Sequence, residues 1–287
     1  MGKRKRRGWL YFIGAVVVIL LFLYLENNAI GVTTYKVTSA KLPNGIDGYR
    51  IVQLSDLQSK EFGRDQEPLL RKVEKLKPDI IVVTGDLSDS NHFNAEASYR
   101  MMEGAAKIAP VYFIRGNHEH NTVGYPALEE RLKRIEGIHI LQNEHVILPA
   151  GDGVIRLVGV DDPIFNQERD GDVDKMNAHL DEALAGIEHP EAYTILLSHR
   201  PELLRVYADY GMDLSFAGHA HGGQFRVPFV GGVYAPEQGF WPKYTEGRHR
   251  IGSSELIISR GLGNSRFPQR VFNRPEIVVA ELSRTAE

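Results

Sequence analysis

Asp79-Ile80-Ile81-Val82-Val83-Thr84-Gly85-Asp86 is a short β-branched run that stops at a glycine and delivers a carboxylate. It lacks the polar alternation of a half-solvated strand and reads as a strand covered on both faces. Outward from it the same arrangement repeats. Arg50-Ile-Val-Gln-Leu-Ser ends in Asp56, and Val111-Tyr-Phe-Ile-Arg-Gly ends in Asn117-His118-Glu119. Tyr193-Thr-Ile-Leu-Leu-Ser ends in His199, and Asp213-Leu-Ser-Phe-Ala-Gly ends in His219-Ala-His221. A further apolar run lies at 154–160, and 32–40 alternates as a strand before a turn at 43–48. Between the strands, 69–76, 95–108, 127–135, 176–187 and 201–210 carry helical periodicity. The alternation predicts a layered α/β domain.

Asp56, Asp86, Asn117, His199, His219 and His221 thus gather where open α/β sheets collect ligands, at the carboxyl ends of strands. One Asp or Asn after a strand is an ordinary turn residue; five runs ending this way exceed turn preference. Two carboxylates, an amide and three imidazoles at one place repel or leave buried polar groups unpaired unless cations compensate them. Two divalent ions remove that conflict, and one carboxylate can bridge them. The glycines before Asp86, Asn117 and His219 are expected to let the backbone turn sharply there. With no cysteine, thiolate sites, Fe–S clusters, Cys nucleophiles and disulfides are excluded. Any metal must be held by His, carboxylate, amide or backbone oxygen.

Asp56-Leu-Gln58, Gly85-Asp86, Gly116-Asn-His-Glu119, Ser198-His199 and Gly218-His-Ala-His-Gly-Gly-Gln224 together resemble the five-block signature of calcineurin-like metallophosphoesterases. The likeness covers about residues 35–283 and is greatest to a bacterial membrane-anchored branch with the Gly-His-x-His-Gly-Gly-Gln block. Residues 231–239 and 260–264 are similar to that branch as well. The resemblance implies a four-layer α/β/β/α sandwich around two divalent metal ions. Asp86 would bridge them, with Asp56 and His221 on the first and Asn117, His199 and His219 on the second. It implies hydrolysis of a phosphoester or pyrophosphate bond by a hydroxide bridging the ions. Mn²⁺, Fe, Zn²⁺ and Co²⁺ all suit such nitrogen and oxygen donors. His118 would be the general acid or phosphate-binding group, with Asn117 also contacting substrate.

One position departs from the pattern. Gln58 stands where the family's Asp-x-His block has its histidine ligand. An amide oxygen can coordinate, but it is neutral and a weaker donor than imidazole. A working enzyme with a weaker or more ion-selective first site is expected. The alternative is a catalytically weak metal-binding protein.

Ahead of the domain, residues 9–25 hold 17 residues without a charge, behind Lys3, Arg4, Lys5, Arg6 and Arg7. As a helix they span roughly 26 Å, enough for a bilayer core with snorkelling flanks. Trp9, Tyr11 and Tyr24 lie near the ends, where amphipathic rings favour the interface. No small-residue cleavage site follows, which favours an uncleaved anchor over a signal peptide. The expected division is a cytoplasmic tail at 1–8, an anchor at 9–25, a linker at 26–34 and the catalytic domain at 35–287. The positive-inside rule puts that domain outside the cell membrane.

The chain carries a formal charge of −3 and its basic front +5, which leaves the remainder at −8. An acidic body argues against binding nucleic acid through its phosphate backbone. Phe225, Phe229, Tyr234, Phe240, Trp241 and Tyr244 follow His221 in a glycine-rich stretch expected to form a hairpin and loop beside the metals. They could meet an acyl chain or pack the loop; Lys243, Arg266 and Arg270 could pair with phosphate or be solvated. The substrate is thus expected to be a lipid-linked or other phosphorylated small molecule. The branch's association with UDP-2,3-diacylglucosamine, a cytoplasmic substrate, conflicts with the outward topology. A soluble nucleotide or phosphodiester is the alternative.

Overall fold

Pairing of the apolar runs builds two sheets, seen in the computed structural model, which describes residues 2–165, 171–265 and 267–285. The side chains of residues 2–6, hence most of the basic cluster, and Arg266 lie outside the described residues. In chain order the strands begin with β1 (Gly31–Ser39), β2 (Tyr49–Leu54), β3 (Ile80–Thr84), β4 (Val111–Ile114) and β5 (Ile138–Ile140). Next come β6 (Glu144–Ala150), β7 (Gly153–Gly159), β8 (Tyr193–Leu197) and β9 (Leu214–Ala217). Four two-residue strands follow, β10 (Arg226–Val227), β11 (Gly231–Gly232), β12 (Tyr234–Ala235) and β13 (Gly239–Phe240). The last are β14 (Gly247–Ile251), β15 (Ser254–Ile258) and β16 (Glu276–Arg284). The helices are α1 (Gly2–Asn28), α2 (Glu67–Leu76), α3 (Ala95–Ala106), α4 (Asn117–Asn121), α5 (Tyr125–Leu132), α6 (Asp172–Ala183) and α7 (Leu204–Asp209).

The first sheet runs β1-β16-β2-β3-β4-β5 and the second β14-β15-β9-β8-β7-β6. In the first, β2 to β5 are mutually parallel; in the second, β15, β9, β8 and β7 are. Successive strand residues face opposite ways. Ile51, Val82 and Ile114 therefore meet Leu157, Ile195 and Phe216 between the sheets. Their neighbours Val52, Val83 and Phe113 face outward against Leu69 and Val73 of α2, Met101 of α3 and Leu128 of α5. On the far side Val158 and Leu196 pack under Met176 and Leu180 of α6 and Tyr207 of α7. Burying each such side chain contributes roughly 1.5–3 kcal/mol, so the double coverage holds the parallel strands and their carboxyl ends in place.

The α/β class holds, and the strands read at the five ligand-bearing runs form within a residue of expectation. Strands β5, β6 and β14 to β16 were not read. β14 alternates half-buried and exposed residues through Arg248, His249 and Arg250, so it lacks a buried strand's apolar signature. Helix α1 carries its apolar residues all round; Trp9 to Leu21 are exposed. Its segment Arg7–Asn28 is long and apolar enough to cross a membrane, at a mean hydropathy of 2.4.

Candidate metal centre

The ends of both sheets converge on one point. Asp56 follows β2, Asp86 follows β3, Asn117 and His118 open α4 beyond β4, His199 follows β8, and His219 and His221 follow β9. Five of these positions, counting Gln58, hold a left-handed backbone: Asp56 (φ 51°), Gln58 (52°), Asp86 (52°), His219 (65°) and His221 (47°). Each non-glycine residue there costs on the order of 1–3 kcal/mol and persists only where packing over-determines it. The glycines serve differently from expectation. Gly85 does turn left-handed, at φ 84°. Gly116 (φ −96°) does not, and Gly218 also lies outside that region; both are needed for room. A Cβ at Gly116 would sit 2.4 Å from Asp86 Oδ1, and one at Gly218 2.2 Å from Asp56 Oδ2.

Among the described residues, the ligand atoms of Asp56/Asp86/His221 and of Asp86/His199/His219 lie within 4.8 Å of one another inside each triad, and Asp86 belongs to both; a third group, Glu202/His219/Glu237, adjoins them through His219. The sequence-predicted residues are therefore brought together. Asn117 Oδ1 is 3.2 Å from His199 Nε2, which also approaches Asp86 Oδ2 at 3.3 Å. His199 Nδ1 donates to the Thr84 carbonyl at 2.8 Å, so Nε2 is the nitrogen turned to the centre. His219 Nε2 donates to Glu237 Oε2 at 2.6 Å, leaving Nδ1 facing His199 Nε2 at 3.1 Å. His118 lies at the rim with Nε2 4.0 Å from Asp86 Oδ2.

Charge explains how these groups coexist. Burial pushes the Asp86 carboxyl up, but the imidazoles of His199, His118 and His219 outweigh it and hold it below the usual carboxylate range. Burial likewise pushes His199 down, and the carboxylates of Asp86, Asp56 and Asp162 more than reverse this, carrying it up to about 10. His221 goes the other way, down to about 4, because burial and the Arg270 charge outweigh Asp56. The donor set fits divalent cations. Gln58 Nε2 donates to Asp86 Oδ2 at 2.8 Å, while Gln58 Oε1 and His221 Nδ1 are buried with no hydrogen-bond partner. The orphaned amide oxygen of Gln58 beside Asp86, and His221 Nε2 at 3.3 Å from Asp56 Oδ1, are donors that a cation satisfies.

Three supporting residues escaped the sequence reading. Glu119, buried in α4, accepts the N–H groups of Asp86 and Gly116 at 2.8 Å and of Ser88 at 2.9 Å, tying two ligand loops together. Burial and the Asp86 charge push it up to about 8. Its place beside Asn117-His118 was the available signal. Glu237 had none, because it reaches His219 across a loop. Arg270 is not solvated: it is buried, with its guanidinium donating to the carbonyls of Gly263, Asn273 and Arg260. Among the aromatics, Phe225, Tyr234 and Tyr244 are half-buried, while Phe229, Phe240 and Trp241 are exposed.

Two sheets whose carboxyl edges share an Asp/His donor set define a metal-dependent phosphoesterase. Residues 49–223, more than half the chain, match the calcineurin-like phosphoesterases, and the chain belongs to that family. It is 31% identical over 268 residues to the uncharacterized metallophosphoesterase YkuE of Bacillus subtilis, covering 91% of this chain and 88% of that one. It is 29% identical to the phosphodiesterase YaeI of Escherichia coli, with 82% of each chain covered. A transmembrane protein with metallophosphoesterase domain from Danio rerio is 28% identical over 83% of this chain, which spans 54% of that protein.

Proposed function

We propose that this protein is a membrane-anchored phosphohydrolase. It would cleave a phosphoester or pyrophosphate bond of a lipid-linked or other phosphorylated small molecule on the outer side of the cell membrane, with two divalent ions held by its carboxylate, amide and imidazole cluster. The observation that carries this reading is the membership of Asp86 in both ligand triads. In this reading Asp56, Gln58 and His221 would hold one ion, Asn117, His199 and His219 the other, and Asp86 would be shared between them. Bound there, divalent ions supply Lewis acidity, activating water at neutral pH and offsetting charge on the phosphoryl group. The chain does the positioning. The Thr84 carbonyl fixes the His199 tautomer and Glu237 that of His219. Ser90 N–H donates to His118 Nδ1 at 3.0 Å, so the neutral ring keeps its proton on Nε2, where it can donate to a phosphoryl or leaving-group oxygen.

Membrane anchoring is supported by the length and hydropathy of α1 and by the relatives named as transmembrane proteins. The basic residues ahead of it favour a cytoplasmic N-terminus. The test of the chemistry is turnover of bis(p-nitrophenyl) phosphate by the Mn²⁺-loaded protein. Wild type must exceed Asp86→Ala by orders of magnitude; equal rates would leave a metal-binding protein without hydrolase activity. The side is tested by protease added to intact cells stripped of their outer layers, which should digest the body.

A further inference from the structure

The last turns of α1 are clamped to the body beside the metal centre. Phe22 packs on Phe272 with ring centroids 5.3 Å apart, and the Leu23 carbonyl accepts from Gln269 Nε2 at 3.0 Å. The Glu26 carboxylate is buried, accepting from Asn273 N–H at 2.8 Å and pairing with Arg274 Nε at 2.9 Å. Asn27 Nδ2 donates to the Pro268 carbonyl, its Oδ1 accepts from Arg270 N–H, and its carbonyl accepts from Lys60 Nζ. Asn273 continues the connection inward: its Nδ2 donates to the carbonyls of His221 and Gln224 at 2.7 and 2.9 Å. One residue therefore joins the anchor to a loop of the metal centre.

Phe22 lies six residues before the end of α1, roughly 9 Å along the helix axis. A body residue touching the helix at that depth is level with the anchor's apolar segment, not with water beyond it. The surface around Phe272 carries a matching composition. Among the described residues, six aromatic side chains of the body are exposed: Phe93, Phe229, Phe240, Trp241, Phe267 and Phe272. Five of the six lie between 229 and 272, and short contacts link them to the clamp. Phe267 meets Phe225 at 5.4 Å, Arg226 N–H donates to the Val271 carbonyl, and Trp241 N–H donates to the Val233 carbonyl. Phe229 stands fully exposed in the turn between β10 and β11, with Val230 exposed beside it.

We infer that the loops carrying Phe229, Phe240 and Trp241, together with the 267–272 segment, form a bilayer-seated face that holds the metal centre at the lipid surface. The inference rests on the proposed membrane anchoring and names the lipid interface as the occupant. Continuity with the α1 clamp decides for lipid over a protein partner. Aromatic rings, Trp above all, are stabilised at the headgroup level. A substrate with its phosphate among the headgroups would be reached without leaving the membrane.

The chain has two tryptophans, so Trp9→Phe leaves Trp241 as the sole reporter. The full-length variant is reconstituted into phosphatidylcholine/phosphatidylglycerol vesicles and assayed in parallel on bis(p-nitrophenyl) phosphate. A blue-shifted Trp241 emission, quenched several-fold more by lipids brominated near the headgroup than by unbrominated ones, supports the inference. Emission of a water-exposed indole, unquenched in a preparation that still hydrolyses the diester, overturns it and leaves the hydrolase reading standing. Blue-shifted emission without bromine quenching puts a second copy or another protein over the ring, and also overturns it. Since the chain has no cysteine, a spin label on Phe229→Cys gives an independent depth. Preferential collision with oxygen over a water-soluble nickel chelate is the supporting result, and the reverse is fatal. A protein quenched but inactive on the diester would fail the hydrolase reading alone.

Discussion

The first sheet sends oxygen donors to the centre, from Asp56, Gln58, Asp86 and Asn117, whereas the second sends the imidazoles of His199, His219 and His221. The two edges are also oriented differently, each partly by the other. Asp56 accepts the His219 N–H at 3.0 Å, the Thr84 carbonyl holds His199, and Gln53 Nε2 crosses to the Ala217 carbonyl at 2.9 Å. A carboxylate edge facing an imidazole edge attracts even before any cation binds, which explains the raised His199 and the depressed Asp86. The difference teaches that neither sheet holds a complete site. The seam between them does.

The largest break of that comparison is at its shared member. On the two-ion reading proposed above, Asp86→Ala should lose both ions by elemental analysis and lower kcat on bis(p-nitrophenyl) phosphate by about 10³-fold or more, the scale of losing a central electrostatic contributor. His221→Ala should strip one ion only. If it strips both, the one-sided assignment of His221 is wrong.

Next comes an ion pair confined to the imidazole side. Arg200, beside His199, donates to Asp162 through Nε at 2.5 Å and through a second nitrogen at 2.9 Å, both side chains being buried. Burial pushes the Asp162 carboxyl up, and Arg200 outweighs this and holds it below its ordinary 3.8. A lowered folded pKa means that the unfolded chain binds the proton first as pH falls. The pair's contribution is therefore present above about pH 4 and lost below it. Asp162→Asn removes the charge facing Arg200 Nε but leaves Glu237 3.2 Å from its Nη1, so it should cost less at pH 7 than the ~3–5 kcal/mol of a fully unpaired buried charge, and its acid limb in urea denaturation should be flatter than that of wild type. A parallel limb would refute the assignment.

A smaller effect separates ligand from support. Glu237→Ala should weaken Mn²⁺ binding by about 10–100-fold, the usual loss for a carboxylate behind a ligating histidine. Glu237→Gln, still an acceptor for His219 Nε2–H, should recover part of it. Calorimetric titration reads both, and equal affinity in all three proteins would detach Glu237 from the centre.

The oxygen edge and the imidazole edge were both legible in the sequence, because buried parallel strands write themselves as apolar runs and their ends as punctuation. Thr84, Gly85 and Asp86 show this in three consecutive letters. The supports were less legible. Glu119 sat inside a recognised block, but its work on three backbone N–H groups depends on loops that meet only in space. Arg270 looked solvated because charge near a chain end usually is; only folding reveals the ring of carbonyls around its guanidinium. The strands at the sheet margins alternate polar and apolar residues or are three residues long, so periodicity alone could not separate them from loops.

The smallest expected effect sharpens the comparison by altering the oxygen edge alone. Gln58 brings an amide where an imidazole would carry nitrogen ligation across the seam. Its Nε2 bonds to Asp86 Oδ2 while Oε1 is left without a partner. Rotating the amide to offer Oε1 to a cation gives up the Asp86 hydrogen bond, whereas a histidine offers a lone pair without a competing NH₂ group. Gln58→His should therefore tighten binding of the first ion by roughly 3–10-fold, imidazole being the better donor for first-row transition ions, and raise diester turnover at limiting Mn²⁺. The left-handed backbone at Gln58 (φ 52°) does not oppose the change, since histidine is among the side chains enriched in that region. Unchanged or weaker binding would mean that Gln58 acts through its bond to Asp86 rather than as a poor ligand, and the oxygen edge would then hold its first ion through carboxylates alone.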